Sequence, residues 1–212
     1  MSRTIVIAHH LIWTAYGWWL PNDPRGSGSE IVRCPSLAAL GDLHYGRKED
    51  QPASEEIKAF YKAARQRLRH PLLTLNEPAR DSAACGLASA IEQSTYTCYA
   101  CAIMPDHVHI VIRKHKHQAE EMIENLQWLS RERLIGDGYR QPSHPTWTDG
   151  GWRRFLDRPQ AVWDAIAYVE SNPSELGLPK QHWPFVTPYN NWPLHEGHNP
   201  SSPYARRLRL SQ

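Results

Sequence analysis

The sequence contains no apolar run approaching the roughly 20 residues that a membrane-spanning helix needs. Its first residues, MSRTIVIAHHLIW, lack the layout of a secretory leader, so a cytoplasmic protein is the expectation. Cysteine is scarce. Four in 212 residues read as reduced thiols and not as a disulfide framework. Cys98 and Cys101 are spaced C-x-x-C, but positions three apart on a strand face opposite sides, so they read as small buried side chains. Net charge is also slight, at +2 with a pI near 8.4, which permits a nucleic-acid partner without selecting one. No internal repeat or low-complexity tract is visible.

What is present is an ordinary globular composition, 41% hydrophobic and 22% charged. TIVIAHHLIWTAY, about residues 4–16, is β-rich and apolar and predicts a first strand. From Gly17 to Gln51 the chain is dense in turn residues. ASEEIKAFYKAARQRLRH predicts a helix with acids first and bases last, as the helix dipole favours. Asn76 predicts the N-cap of a second helix, EPARDSAACGLASAIEQS, with Pro78 in its first turn. Two apolar runs around Pro105-Asp106 then predict a hairpin. QAEEMIENLQWLSRERLI predicts a helix and HPTWTDGGWRRFLD a strand with a loop at Gly150-Gly151. DRPQAVWDAIAYVESNP predicts a last helix, capped by Asp157 and stopped by Pro173. Setting residues 17–76 aside as an insertion, the order predicts an α+β fold. It is a ferredoxin-like antiparallel sheet, β-α-β-β-α-β, with an added C-terminal helix. Residues 1–178 form the expected domain and 179–212 an extension.

The hairpin carries MPDHVHIVI. Alternation turns His107 and His109 to one face and Val108, Ile110 and Ile112 to the other. In a sheet with helices on one side and the other side open, the imidazoles fall on the open face. Two neutral imidazoles at this spacing can converge on one divalent metal; the alternative is a hydrogen-bonded pair at a hairpin. His115 and His117 repeat the spacing among lysines beyond the apolar run and read as surface. On the last helix Val162, Ala165, Ile166 and Val169 form the apolar stripe, with Tyr168 at its edge and Asn172 one turn further on.

CAIMPDHVHIVI together with AIAYVESNPSELGL resembles the HUH single-tyrosine transposases, in particular the REP-associated tyrosine transposases. The resemblance spans the first strand and about residues 72–178. It implies that His107 and His109 bind the metal and that Tyr168 is the nucleophile. It places Asn172 where relatives carry a third, side-chain-amide ligand, commonly glutamine. Asp106 departs from the family, in which asparagine is usual at that turn. The implied activity is transposition chemistry: cleavage and rejoining of single-stranded DNA at hairpins through a 5′-phosphotyrosine, with Mg²⁺ or Mn²⁺ as cofactor. Histidine ligands lean towards manganese. A homodimer is left open.

Phosphate contacts are expected from Arg153, Arg154, Arg206, Arg207 and Arg209, and base stacking from Trp18, Trp19, Trp147 and Trp152. Two other readings stand beside this one. One is a nucleic-acid-binding relative without catalysis. The other is a metal-dependent nuclease that attacks with activated water. The hairpin strands show no aromatic signature of the RRM kind.

Overall fold

The computed structural model describes residues 5–28 and 35–209, except for the Arg207 side chain. In chain order the elements are β1 (Ala8–Thr14), α1 (Pro35–Ala38), α2 (Ser54–Arg65), α3 (Glu77–Ser94), β2 (Cys98–Ile103), β3 (His107–Arg113), α4 (Ala119–Gly136), β4 (Trp152–Leu156), α5 (Pro159–Glu175) and α6 (Pro203–Arg209). The four strands pair antiparallel in the order β2-β3-β1-β4. This is the α+β, ferredoxin-like sheet that the sequence predicts. Among the described residues no helix is long and apolar enough to cross a membrane.

One face of the sheet carries Leu11, Trp13, Val108, Ile110 and Ile112, buried against Ala83, Leu87 and Ala90 of α3 and Met122, Ile123 and Leu126 of α4. Burying each large aliphatic chain contributes about 1.5–3 kcal/mol, so this layer anchors the fold. Asn76 caps α3 as predicted, its side chain accepting from the Ala79 N–H at 3.0 Å. The two helices cross at Gly86, where an added Cβ would lie 2.5 Å from Ser130 Cα and 2.6 Å from the Leu129 carbonyl oxygen. Only a residue without a side chain permits that approach.

The opposite face is not open. α5 lies across it, burying Val162, Ala165, Ile166 and Val169 against Ala8, Ala100, Ala102, Val111 and Leu156. Three of these sheet residues are alanines, which make room for the helix. α5 also departs from its expected ends. Its N-cap is Arg158, which makes no side-chain cap bond, and Pro159 takes the first turn. Pro173 lies inside the helix, which runs on to Glu175. A proline so near the end forfeits a single backbone bond. Its burial, with that of Asn172 and Val169, holds the last turn in place.

Cys98 and Cys101 do not face opposite sides. A bulge between Cys98 and Ala100 shifts the register by one residue, and both thiols join the core under α3 and α4. They are free and buried, and desolvation raises both thiol pKa values. The reading as small hydrophobic side chains stands, but its geometric reason was wrong.

Residues 181–187 cover the outer edge of β2. The Gln181 amide makes a two-way pairing with Ile103, accepting from its N–H and donating to its carbonyl, each at 2.8 Å. The Thr187 N–H donates to the Cys98 carbonyl at 2.7 Å. Beyond them Tyr189 and Leu208 pack onto the α5 layer. The insertion has a small core of its own, formed by Leu20, Leu37, Phe60, Tyr61 and Ala64. There Arg25 grips the Asp23 carboxylate at 2.9 and 2.8 Å, and the Tyr61 hydroxyl donates to the same carboxylate.

Candidate active site

Strand register builds the site as two adjacent rows across the α5 face. One row runs Ala102, His109, Ile12, Trp152, and the next Ala100, Val111, His10, Arg154. His107 stands opposite Thr14 at the hairpin end of the same face. His107 and His109 share the face opposite the α3–α4 core, as expected, but that face is covered by α5 and not open, and His109 is buried.

Each of the two histidines has its Nδ1 engaged. His107 Nδ1 lies 2.7 Å from Asp106 Oδ1, so the ring donates there and its Nε2 carries no proton in the neutral form. His109 Nδ1 lies 3.0 Å from His10 Nε2. The His107 and His109 rings stand 4.7 Å apart by centroid at 82°. Burial pushes the His109 pKa down to about 2, with His107 and His10 adding to the shift. Burial, then the charge of Arg154, lowers His10 to about 4. Both rings are therefore neutral near pH 7, the state that a metal ligand requires.

Tyr168 comes to this pair from α5. Its ring meets His109 at 5.5 Å and His10 at 5.9 Å, both edge-on, and it is 48% exposed, so its hydroxyl end is accessible to a substrate. The tyrosine thus lies beside its own chain's histidines. Asn172 is buried one turn on, and its amide nitrogen donates back to the Tyr168 carbonyl at 2.6 Å. That bond ties the carboxamide to its own helix.

The basic candidates separate by face. Arg154 is in register with His10 on the site face. Arg153 points to the other side, where it pairs with Glu120 of α4 at 2.9 Å. Arg206 and Arg209 are exposed on α6, whose Leu208 packs on the α5 layer. The Arg207 side chain lies outside the described residues. Of the tryptophans, Trp147 is core, packed on Trp13 and donating to Ser130 Oγ at 3.0 Å. Trp18 donates to the Leu73 carbonyl at 2.7 Å, and Trp19 lies under the Arg25 guanidinium. Trp152, 49% exposed and one row from Arg154, is the one of the four that borders the site. His115 and His117 group around Tyr96, whose hydroxyl lies 2.9 Å from His117 Nδ1.

Sequence reasoning missed His10. Its signal was there, in AHHLIW on the predicted first strand, but only the register with β3 shows which of the two adjacent histidines faces the site.

Among the described residues no group of three or more His, Cys, Asp or Glu side chains is placed to hold a metal ion. A closed structural site is thereby absent there. The donor set fits an open one: two imidazoles on one sheet face whose Nδ1 atoms are engaged, so that the Nε2 atoms are the positions from which they would hold a ligand.

No protein-family model matches the chain, and no curated protein is significantly similar to it. Among solved structures, similarity is found to a REP-associated tyrosine transposase bound to a REP hairpin. The identity is 9% and the TM-score 0.43, over 87% of this chain and 79% of the other. A second similar structure is a provisionally named transposase from Deinococcus radiodurans. There the identity is 14% and the TM-score 0.39, over 81% of this chain and 94% of the other. Likeness at this level does not transfer chemistry, which has to come from the side chains themselves.

Proposed function

We propose that this chain is a transposase-like enzyme that cleaves and rejoins single-stranded DNA through a covalent bond to Tyr168. The observation that carries the reading is the meeting of Tyr168, half exposed on α5, with the neutral His109 and His10 on the sheet. Tyr168 Oη attacks a backbone phosphorus. A P–Oη bond forms and the P–O3′ bond breaks, leaving a 5′-phosphotyrosine. The phenolic proton is lost to solvent and the leaving 3′-oxygen gains one, so protons balance. Attack by a different 3′-hydroxyl reverses the step and joins new ends.

His107 and His109 would hold Mg²⁺ or Mn²⁺ through Nε2, with Asn172 the weakest candidate for a third ligand, because its side chain is one methylene shorter than glutamine and its amide is tied back to the Tyr168 carbonyl. A bound divalent cation supplies electrostatic stabilisation of the charge that builds on the phosphoryl oxygens. Arg154 offers a phosphate contact and Trp152 a stacking surface beside the same row. Hairpin-bearing single-stranded DNA is the substrate implied by the motif resemblance.

The Asp106–His107 pair, at 2.7 Å, supports a second reading, because a carboxylate-oriented imidazole can also serve as general base to a water. One experiment separates the two. Purified protein is incubated with Mn²⁺ and labelled hairpin oligonucleotides from the DNA flanking its gene, then denatured. A protein–DNA adduct that disappears in Tyr168→Phe supports the tyrosine mechanism. Cleavage without an adduct, surviving Tyr168→Phe, supports the nuclease.

A further inference from the structure

The hydrogen bond between His10 Nε2 and His109 Nδ1, 3.0 Å long, joins two imidazoles and so holds a single proton between them. If His10 donates, the neutral His109 must carry its own proton on Nε2, and that nitrogen has no lone pair to offer. If His109 donates, its Nε2 is free and His10 carries its proton on Nδ1. Ligand capacity at His109 therefore depends on which ring gives the proton.

We propose that His10 is a positioning residue, which accepts from His109 Nδ1–H and so presents His109 Nε2 to a divalent cation. The inference rests on the reading that His107 and His109 bind such a cation. Asp106 does the same for His107, but as a carboxylate it can only accept, so no ambiguity arises there. His10 is well suited to hold its partner's ring. It lies on central strand β1, is 5% exposed, and has the Tyr168 ring against it at 5.9 Å. One contact thus sets the orientation of His109 and places the nucleophile's ring beside the same support. His9, the adjacent histidine, faces the other layer and packs on Phe155, so it cannot substitute.

Two measurements on the full chain test this. Long-range ¹H–¹⁵N correlation of histidine-labelled, metal-free protein reads the tautomer directly; His109 is expected as Nδ1–H and His10 as Nδ1–H. Calorimetric titration with Mn²⁺ reads the consequence. His10→Leu, which removes the acceptor, is expected to weaken binding about 10- to 100-fold, the usual cost of losing a partner that orients a metal ligand. His10→Gln, whose Oε1 can accept, is expected to recover most of that loss, and it also serves if the leucine variant fails to fold. His109 found as Nε2–H overturns the proposal. So does wild-type affinity in a folded His10→Leu protein, or a His10 nitrogen that shifts as a direct ligand when Zn²⁺ is added. Failure of the wild-type chain to bind Mn²⁺ overturns the metal reading itself, a result distinct from binding that His10 does not influence.

Discussion

The Tyr168 ring meets the His109 ring edge-on with centroids 5.5 Å apart, although one rides on α5 and the other on β3. Tyr168 is half exposed, so its hydroxyl can be removed at little structural cost. Tyr168→Phe is expected to melt within a degree or two of the wild type and to bind Mn²⁺ equally well. Adduct formation should fall at least about a thousandfold, the loss expected on removing the proposed nucleophile. Denaturing gels and calorimetry check the two halves separately.

Asp106 lies in the hairpin turn just before β3, and its carboxylate holds His107 Nδ1 at 2.7 Å. Asp106→Ala is expected to weaken Mn²⁺ binding about 10- to 100-fold. Asp106→Asn keeps an oxygen that can accept and should lose clearly less. Titration of the two variants side by side decides whether acceptance of the hydrogen bond or the negative charge matters.

Arg153 and Arg154 are sequence neighbours with opposite surroundings, one paired with Glu120 and the other beside His10. Arg154→Ala is expected to weaken single-stranded DNA binding and to reduce the slope of log affinity against log salt by about 1. Arg153→Ala should leave that slope unchanged and cost at most about 1 kcal/mol of stability, as exposed ion pairs do. Fluorescence anisotropy across a salt series reads both.

Gly86 admits no side chain between α3 and α4. Gly86→Val would force two backbones apart and is expected to destabilise the fold by about 3 kcal/mol or more. Urea denaturation gives the value. Retention of wild-type stability would mean that the helices part easily.

Burial lowers the His9 pKa from 6.5 to about 4, with Lys114 adding to the shift. Between those values the unfolded chain binds a proton that the folded chain refuses, so stability rises with pH. The contribution is complete above about pH 6.5 and is lost as pH falls towards 4. It amounts to roughly 3 kcal/mol, given 1.36 kcal/mol per pKa unit. His9→Leu should show a smaller loss of stability between pH 7 and pH 5 than the wild type, measured by urea midpoints.

Much of this was legible in the sequence because it depends on local rules. Alternation over His107–Arg113 assigns the two histidines to one face and the core residues to the other, and the structure places them so. Asn76 and Pro78 mark the start of α3 because a helix N-terminus needs an acceptor and tolerates proline. What was not legible depends on pairing at a distance. Whether His9 or His10 belongs to the site depends on the register of β1 with β3. The facing of Cys98 depends on a bulge that no residue in TYTCYACAI announces. Pro173 looked like a stop because a local rule was applied where burial overrides it. The Asp23–Arg25–Tyr61 contact within the insertion spans too many residues for any motif to reveal.

The pairing of Gln181 with Ile103 has a consequence for how the molecule meets its own copies. An uncovered β2 would offer an unbroken row of peptide groups to any passing strand, the usual route to uncontrolled stacking. One side-chain amide, shaped like a peptide group, fills that row at its Ile103 end, and Thr187 fills it at its Cys98 end. The segment after α5 therefore works as a selvedge. Shortening the chain before Gln181 should bare that edge to other strands and make the protein self-associate, even with every residue of the histidine–tyrosine site left in place.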